Sequence, residues 1–311
     1  MAEKKWLEFV VTDAEAGMTV EQIARDKLAV SGRMLQRLTR SKGIQLNRKA
    51  PFLKRQVKAG DTVSVRIADQ RERFPEETPP PLPGQKLDVA LDVLYEDDFF
   101  IVVNKPSGMM VHPVNERQTE TLVHVLQHHW LLHGQIIKPH AVHRLDKETT
   151  GAVLIAKSSY AHQLADKVLR EGGLERSYLA VVTGSLEQDA GTIDEPIARD
   201  AVHPTKRQVH PAGEPSVTHY RVLARSQACS LVELRLETGR THQIRVHMES
   251  LGHPVAGDTL YGGKKLGFKR QALHAQRLSF VHPVTSVELS FTAGLPEDMK
   301  SFITDVFQVS V

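Results

Sequence analysis

Between Arg71 and Lys86 the chain reads RERFPEETPPPLPGQK, with five prolines, one glycine and no apolar periodicity. Such a segment cannot continue a helix or supply a central strand, and it favours an extended, semi-rigid course. It therefore argues against one continuous core. The 311 residues divide into a small unit over residues 1–70, a linker over 71–87 and a main domain over 88–311. Both parts are of a size that folds independently. No internal repeat or second low-complexity tract is visible.

Charge is distributed unevenly across that boundary. Residues 1–74 hold 16 Lys and Arg against 9 Asp and Glu, whereas the remainder holds 24 against 28. A basic segment on a mildly acidic body is a handle for a polyanion. Cys229 is the only cysteine, which excludes an intrachain disulfide and a zinc site built on paired cysteines. The longest apolar runs are strand-sized, and Met1–Trp6 lacks the apolar stretch of a signal peptide. The chain is expected to be a soluble cytoplasmic monomer with no contact to a membrane.

Before the linker, Thr19–Ala29 carries a short helical apolar stripe, and a second helix starts at Ser31, a good N-cap. Met34, Leu35 and Leu38 form its apolar face. Arg33, Arg37 and Arg40 project together from the other. Gly43 ends the helix, Ile44–Leu46 reads as a strand, and Lys58–Ile67 as a turn and an alternating strand. After the linker come mostly strands, at Asp92–Glu96, Phe99–Asn104, Ala152–Ala156, Arg176–Val182, Val217–Ala224, Leu231–Leu236 and Val287–Phe291. Helices are expected over Ser158–Arg170, His242–Leu251 and about Pro296–Val306. Successive strands with few helices give an α+β class, not a doubly wound parallel sheet.

No nucleotide-binding glycine loop, HExxH or GxSxG is present, so the chemistry is expected to need no cofactor and no metal. His124, His128, His129 and His133 form two i, i+4 pairs on one predicted helix. The pairs face different ways and no carboxylate joins either. Two other constellations carry chemistry. HRLDKETTG, His143–Gly151, is a polar loop leading into a buried strand, which suits the aiming of a carboxylate, Asp146. LETGRTHQIRVH, Leu236–His247, runs from a strand end through Gly239, read as a tight turn, to Arg240 at a helix entry. Arginine's fork suits a carboxylate or a phosphate. Tyr178 falls early on a strand.

The first unit resembles the alpha-L RNA-binding domain over roughly Thr19–Ile67, chiefly at Ser31-Gly32-Arg33 and Gly60-Asp61. It departs from that pattern at its start and at Leu46-Asn47-Arg48, where Val-Asn-Gly is typical. The main domain, over about Leu94–Phe291, resembles RluA-type pseudouridine synthases. HRLDKETTG and LETGRTHQIRVH carry the match, with Asn104–Gly108, Gly252–Asp258, Tyr261-Gly262, Leu273-His274-Ala275 and His282-Pro283 in support; Thr150 replaces a more usual Ser. The resemblance implies a large, mixed, mostly antiparallel sheet and isomerisation of uridine in RNA to pseudouridine. By position, Asp146 is the catalytic carboxylate, Arg240 its ion-pair partner, and Tyr178 a ring against the uracil that also helps remove the last ring proton. Arg144 fills the space of the flipped base, Ile244 floors the pocket, and His143 and Thr149 line it. The implied partner is RNA, with large-subunit ribosomal RNA preferred over transfer RNA, and Arg33, Arg37 and Arg40 supply affinity.

Overall fold

The computed structural model describes residues 6–67, 89–115 and 117–309. The expected linker, 71–87, lies outside the described residues. The N-terminal unit runs β1 (Trp6–Val10), α1 (Val20–Asp26), α2 (Gly32–Arg40), β2 (Ile44–Leu46) and β3 (Thr62–Arg66). Its antiparallel sheet has the order β1-β3-β2. Thr19 and Gln22 close a capping box on α1, and Ser31 accepts the Met34 amide at the start of α2. The apolar faces of both helices bury Val20, Ile23, Leu35 and Leu38 against Val63 and Val65.

The main domain contains β4 (Asp92–Glu96), β5 (Phe100–Lys105), α3 (Leu122–Leu132), β6 (His140–Ala141), β7 (Thr150–Ala156), α4 (Ser159–Arg170) and β8 (Leu174–Thr183). Then come β9 (Ala190–Asp194), β10 (Ile197–Arg199), β11 (Arg207–Val209), β12 (Val217–Arg225), β13 (Cys229–Leu236) and α5 (Gln243–Ser250). It ends with β14 (Leu273–Val281), β15 (Glu288–Thr292) and α6 (Glu297–Phe307). A ten-stranded sheet has the path β4-β5-β7-β14-β8-β13-β12-β9, with β15 on β14 and β6 on β7; β10 and β11 form a separate hairpin. Among the described residues only β7 and β14 pair in parallel, at His274 opposite Thr150. The α+β expectation therefore holds, with a mostly antiparallel sheet.

Strand alternation sorts the core. From β5, Ile101 and Val103 pack with α3 and with Ile244 and Met248 of α5; Phe100 and Val102 pack with Ala161 and Ala165 of α4. All of β7 is buried, which explains its continuous apolar run. Gly151 belongs there for a steric reason. Its φ is +116°, and a Cβ would overlap the Ala275 backbone.

The two units share α4. Tyr160 and Leu164 are buried in the N-terminal core. The Tyr160 hydroxyl donates to Leu28 O (2.7 Å), Gln163 Nε2 donates to Ala29 O (2.6 Å), and Ser31 N donates to Gln163 Oε1 (3.1 Å).

Candidate active site

A cavity of about 570 Å³ opens where the β6–β7 loop, β8 and the β13–α5 turn converge. The β6–β7 loop brings Asp146. Its own turn is closed by Thr149 N donating to Asp146 O (3.1 Å). Below it lies Lys105, with none of its surface exposed. Its ammonium donates to Pro106 O (2.8 Å), Met109 O (2.7 Å) and Lys147 O (3.1 Å). Burial pushes that ammonium down to about 7, against the opposing pull of Glu148 and Asp146. Arg270 donates to Glu148 O (3.2 Å) from another direction. The loop is thus anchored through its carbonyls, leaving the Asp146 side chain free to be aimed.

Aiming is done by Arg245. Its Nη1 donates to Asp146 Oδ2 (2.9 Å), while Nε and Nη2 fork onto Asp258 (2.6 and 2.9 Å). Asp258 is 2 % exposed, so one buried guanidinium serves two carboxylates. Burial opposes the guanidinium's charge, but Asp258 and Asp146 outweigh it and hold the group above its ordinary range. The same guanidinium sits over the Tyr261 ring, with Cζ 4.9 Å from the ring centroid. His242 Nε2 is 3.9 Å from Asp146 Oδ2 and its Nδ1 meets the Tyr261 hydroxyl at 2.9 Å. Among the described residues, Oδ1 of Asp146 has no hydrogen-bond partner. The arrangement presents one positioned carboxylate oxygen to a guest, beside the Tyr178 ring and the Ile244 side chain, which also line the cavity. Such an oxygen can attack carbon or accept a proton.

The RNA pseudouridylate synthase family model matches residues 99–250. The chain is 38 % identical over 305 residues to the uncharacterized RNA pseudouridine synthase YhcT of Bacillus subtilis, covering 97 % of each chain. It is 37 % identical over 307 residues to the ribosomal large subunit pseudouridine synthase D of Nitrosomonas europaea, covering 96 % of this chain and 87 % of that one. Among solved structures, human RNA pseudouridylate synthase domain containing 1 superposes with a TM-score of 0.57 at 27 % identity, over 68 % of this chain and 87 % of that chain. The chain belongs to the RluA-type RNA pseudouridine synthases. It is an isomerase acting on RNA.

In this synthase one expected contact is corrected. Arg240 does not pair with Asp146. It stands before α5, at the cavity rim, where Nη1 meets Glu214 Oε2 (2.6 Å) and Nε donates to Pro215 O (3.2 Å). The partner is Arg245, one turn into the helix. The reason for Gly239 also changes. Its φ is not in the left-handed region, but a Cβ there would lie 2.9 Å from Arg176 Nη1. Tyr178 is buried on β8, and burial raises its hydroxyl above the ordinary range, with Asp146 adding to that and Arg176 opposing. Arg144 is exposed on the rim. Thr149 is buried, its hydroxyl accepting from Gln271 Nε2 (3.2 Å). His143 Nε2 accepts the Leu154 amide (3.1 Å), and burial pushes the ring down to about 3, so it is neutral.

Sequence reasoning missed Lys105, Arg245 and Asp258, although all three lie within the quoted motifs. Of the arginine stripe, Arg33 and Arg40 are exposed, whereas Arg37 Nη1 donates to Ser159 Oγ (2.9 Å) and so also joins the two units. His124 pairs with Thr121 (2.8 Å), and His133 Nδ1 meets His129 O (2.8 Å). No cluster of metal-ligating side chains exists among the described residues. Nor is any helix among them long and apolar enough to cross a membrane.

Proposed function

We propose that this enzyme isomerises specific uridines of large-subunit ribosomal RNA, with Asp146 as the catalytic residue. The carrying observation is Asp146 locked to Arg245 at 2.9 Å inside a cavity that also holds Tyr178 and Ile244. The target nucleotide leaves the helical stack, since its anomeric carbon is otherwise out of reach. Its uracil lies between the Tyr178 ring and Ile244, and Arg144 takes the vacated space. Asp146 acts on the sugar, at C1′ as nucleophile or at C2′ as base. The N-glycosidic bond breaks, the uracil turns over, and C5 bonds to C1′ as Asp146 leaves C1′ or returns the C2′ proton; C5 then loses its proton and N1 ends protonated. Arg245 keeps the carboxylate oriented throughout, and Asp258 keeps Arg245 in place. His143 and Thr149 contribute cavity wall.

The ribosomal substrate is supported by relatives named ribosomal large subunit pseudouridine synthase D. Exposed Arg33 and Arg40 supply phosphate contacts from the N-terminal alpha-L-like unit, 1–70. Pseudouridine mapping of total RNA from cells with and without the gene tests this. Loss of defined large-subunit positions, restored by the wild-type gene and not by Asp146→Asn, is expected. Loss confined to transfer RNA would overturn the ribosomal assignment.

A further inference from the structure

Arg176 is 7 % exposed and lines the cavity, two residues before Tyr178 on the same face of β8. A guanidinium this buried is normally paired, because an uncompensated charge is costly to remove from water. Arg176 has no ion pair and no hydrogen bond among the described residues, and its Nε is fully buried without an acceptor. The two carboxylates lining the cavity are engaged elsewhere. Asp146 holds Arg245, and Glu237 meets His219 at 2.6 Å. A second donor beside it is also unsatisfied. His143 Nε2 accepts from Leu154, so its proton resides on Nδ1, which is buried without a partner. Gly239, beside it after β13, gives the same indication, because its missing side chain leaves room for Arg176 Nη1.

Buried donors, a net positive charge and a clearance kept by glycine describe a receptor awaiting an anion. We propose that Arg176 binds the phosphodiester next to the target uridine, with Gly239 keeping its slot open, so that the nucleotide is held by its backbone while the uracil is free to turn. This rests on the reading of the cavity as a uridine site. A uracil carbonyl would satisfy the hydrogen bonds but leave the charge uncompensated, which favours phosphate. The base must detach and rotate during the reaction, so an anchor on the phosphate keeps the sugar at Asp146 when the base is not covalently attached.

Titrations of uridine, uridine 3′-monophosphate and uridine 5′-monophosphate against wild type, Arg176→Gln, Arg176→Lys and Gly239→Ala test the assignment. One of the two monophosphates should bind wild type about tenfold or more tighter than uridine, and Arg176→Gln should reduce that gain to about twofold or less. Arg176→Lys should keep part of the gain, and Gly239→Ala, which crowds Nη1, should diminish it. Thermal melts check folding; if Arg176→Gln does not fold, the Lys and Ala variants carry the comparison. Absence of a phosphate gain in wild type, or its survival in the variants, overturns the proposal. So does equal weakening of uridine and its monophosphates, which would place Arg176 on the base. Pseudouridine formation by wild type is measured separately. A phosphate gain without pseudouridine would remove the isomerase reading and leave the anion site standing.

Discussion

Oδ2 of Asp146 is the atom on which Arg245 and His242 converge, leaving Oδ1 without a partner among the described residues. Asp146→Asn preserves shape and removes charge. Single-turnover pseudouridine formation should fall at least about 10³-fold, and a residual rate above about a tenth of wild type would remove Asp146 from its role. RNA affinity should hardly change, because phosphate contacts dominate it. Freshly prepared protein is needed, since deamidation restores Asp. The two arginines of LETGRTHQIRVH should separate clearly. Arg245→Ala leaves Asp258 buried and unpaired, so it should cost about 3–5 kcal/mol of stability and most of the activity. Arg240→Ala breaks a rim pair with Glu214 that is worth about 1 kcal/mol or less, and turnover should stay within about threefold. Paired urea melts and rate assays check both. The family resemblance named Arg240 as the partner of Asp146, whereas the structure has Arg245 there. Arg240 lies in the turn before α5, whereas Arg245 lies in its first turn behind the His242 cap, whose φ is +60°, so the helix fixes the direction of Arg245 alone.

At the scale of elements, the active loop is only as rigid as the strand it enters. β7 runs parallel to β14 at Thr150–Gly151, where the two backbones approach too closely for a Cβ at Gly151. Gly151→Ala combines that overlap with a left-handed φ and should destabilise by about 2 kcal/mol or more, displacing Asp146 as it does so. Urea titration and the single-turnover rate should fall together; unchanged stability would refute the steric account. Elements with strong local signals were legible, among them α2 behind its Ser31 cap, the apolar run of β7 and the amphipathic α4. β14 was not, because polar His274, Gln276 and Arg277 interrupt its alternation and its register shifts between Ala275 and Arg277. The three-residue strands β10 and β11 hold too few residues for any period to register. α4 was read as an ordinary amphipathic helix, yet Tyr160 and Leu164 bury in the N-terminal core, a long-range choice that no local pattern encodes.

Over the whole molecule, stability and RNA affinity respond to different charges. His143 and His274 are buried, and burial pushes them down to about 3 and about 4 from an ordinary 6.5. A group that protonates more readily when unfolded stabilises the fold fully above about pH 6.5 and loses that contribution as pH falls toward its folded value. Between pH 7.5 and 5 each histidine should therefore remove about 2 kcal/mol. Denaturant melts at both pH values should show a loss that shrinks in His274→Gln; an equal loss in wild type and variant would refute it. RNA affinity is instead proposed to depend on exposed arginines. The basic N-terminal unit suggests that it could simply be deleted to measure its share, but deletion would expose Tyr160 and Leu164 of α4 and confound binding with misfolding. Arg37 is a poor probe for a related reason, since it also contacts Ser159 across the junction. Arg33→Gln and Arg40→Gln leave that junction intact. If both meet phosphates, each should weaken RNA binding at low salt and make the slope of log Kd against log salt shallower by about 0.7–0.9, with the double variant changing by about the sum. Turnover at saturating RNA should be unaltered, because neither residue reaches the cavity. An unchanged slope in the double variant would mean that the RNA does not run over this face of α2.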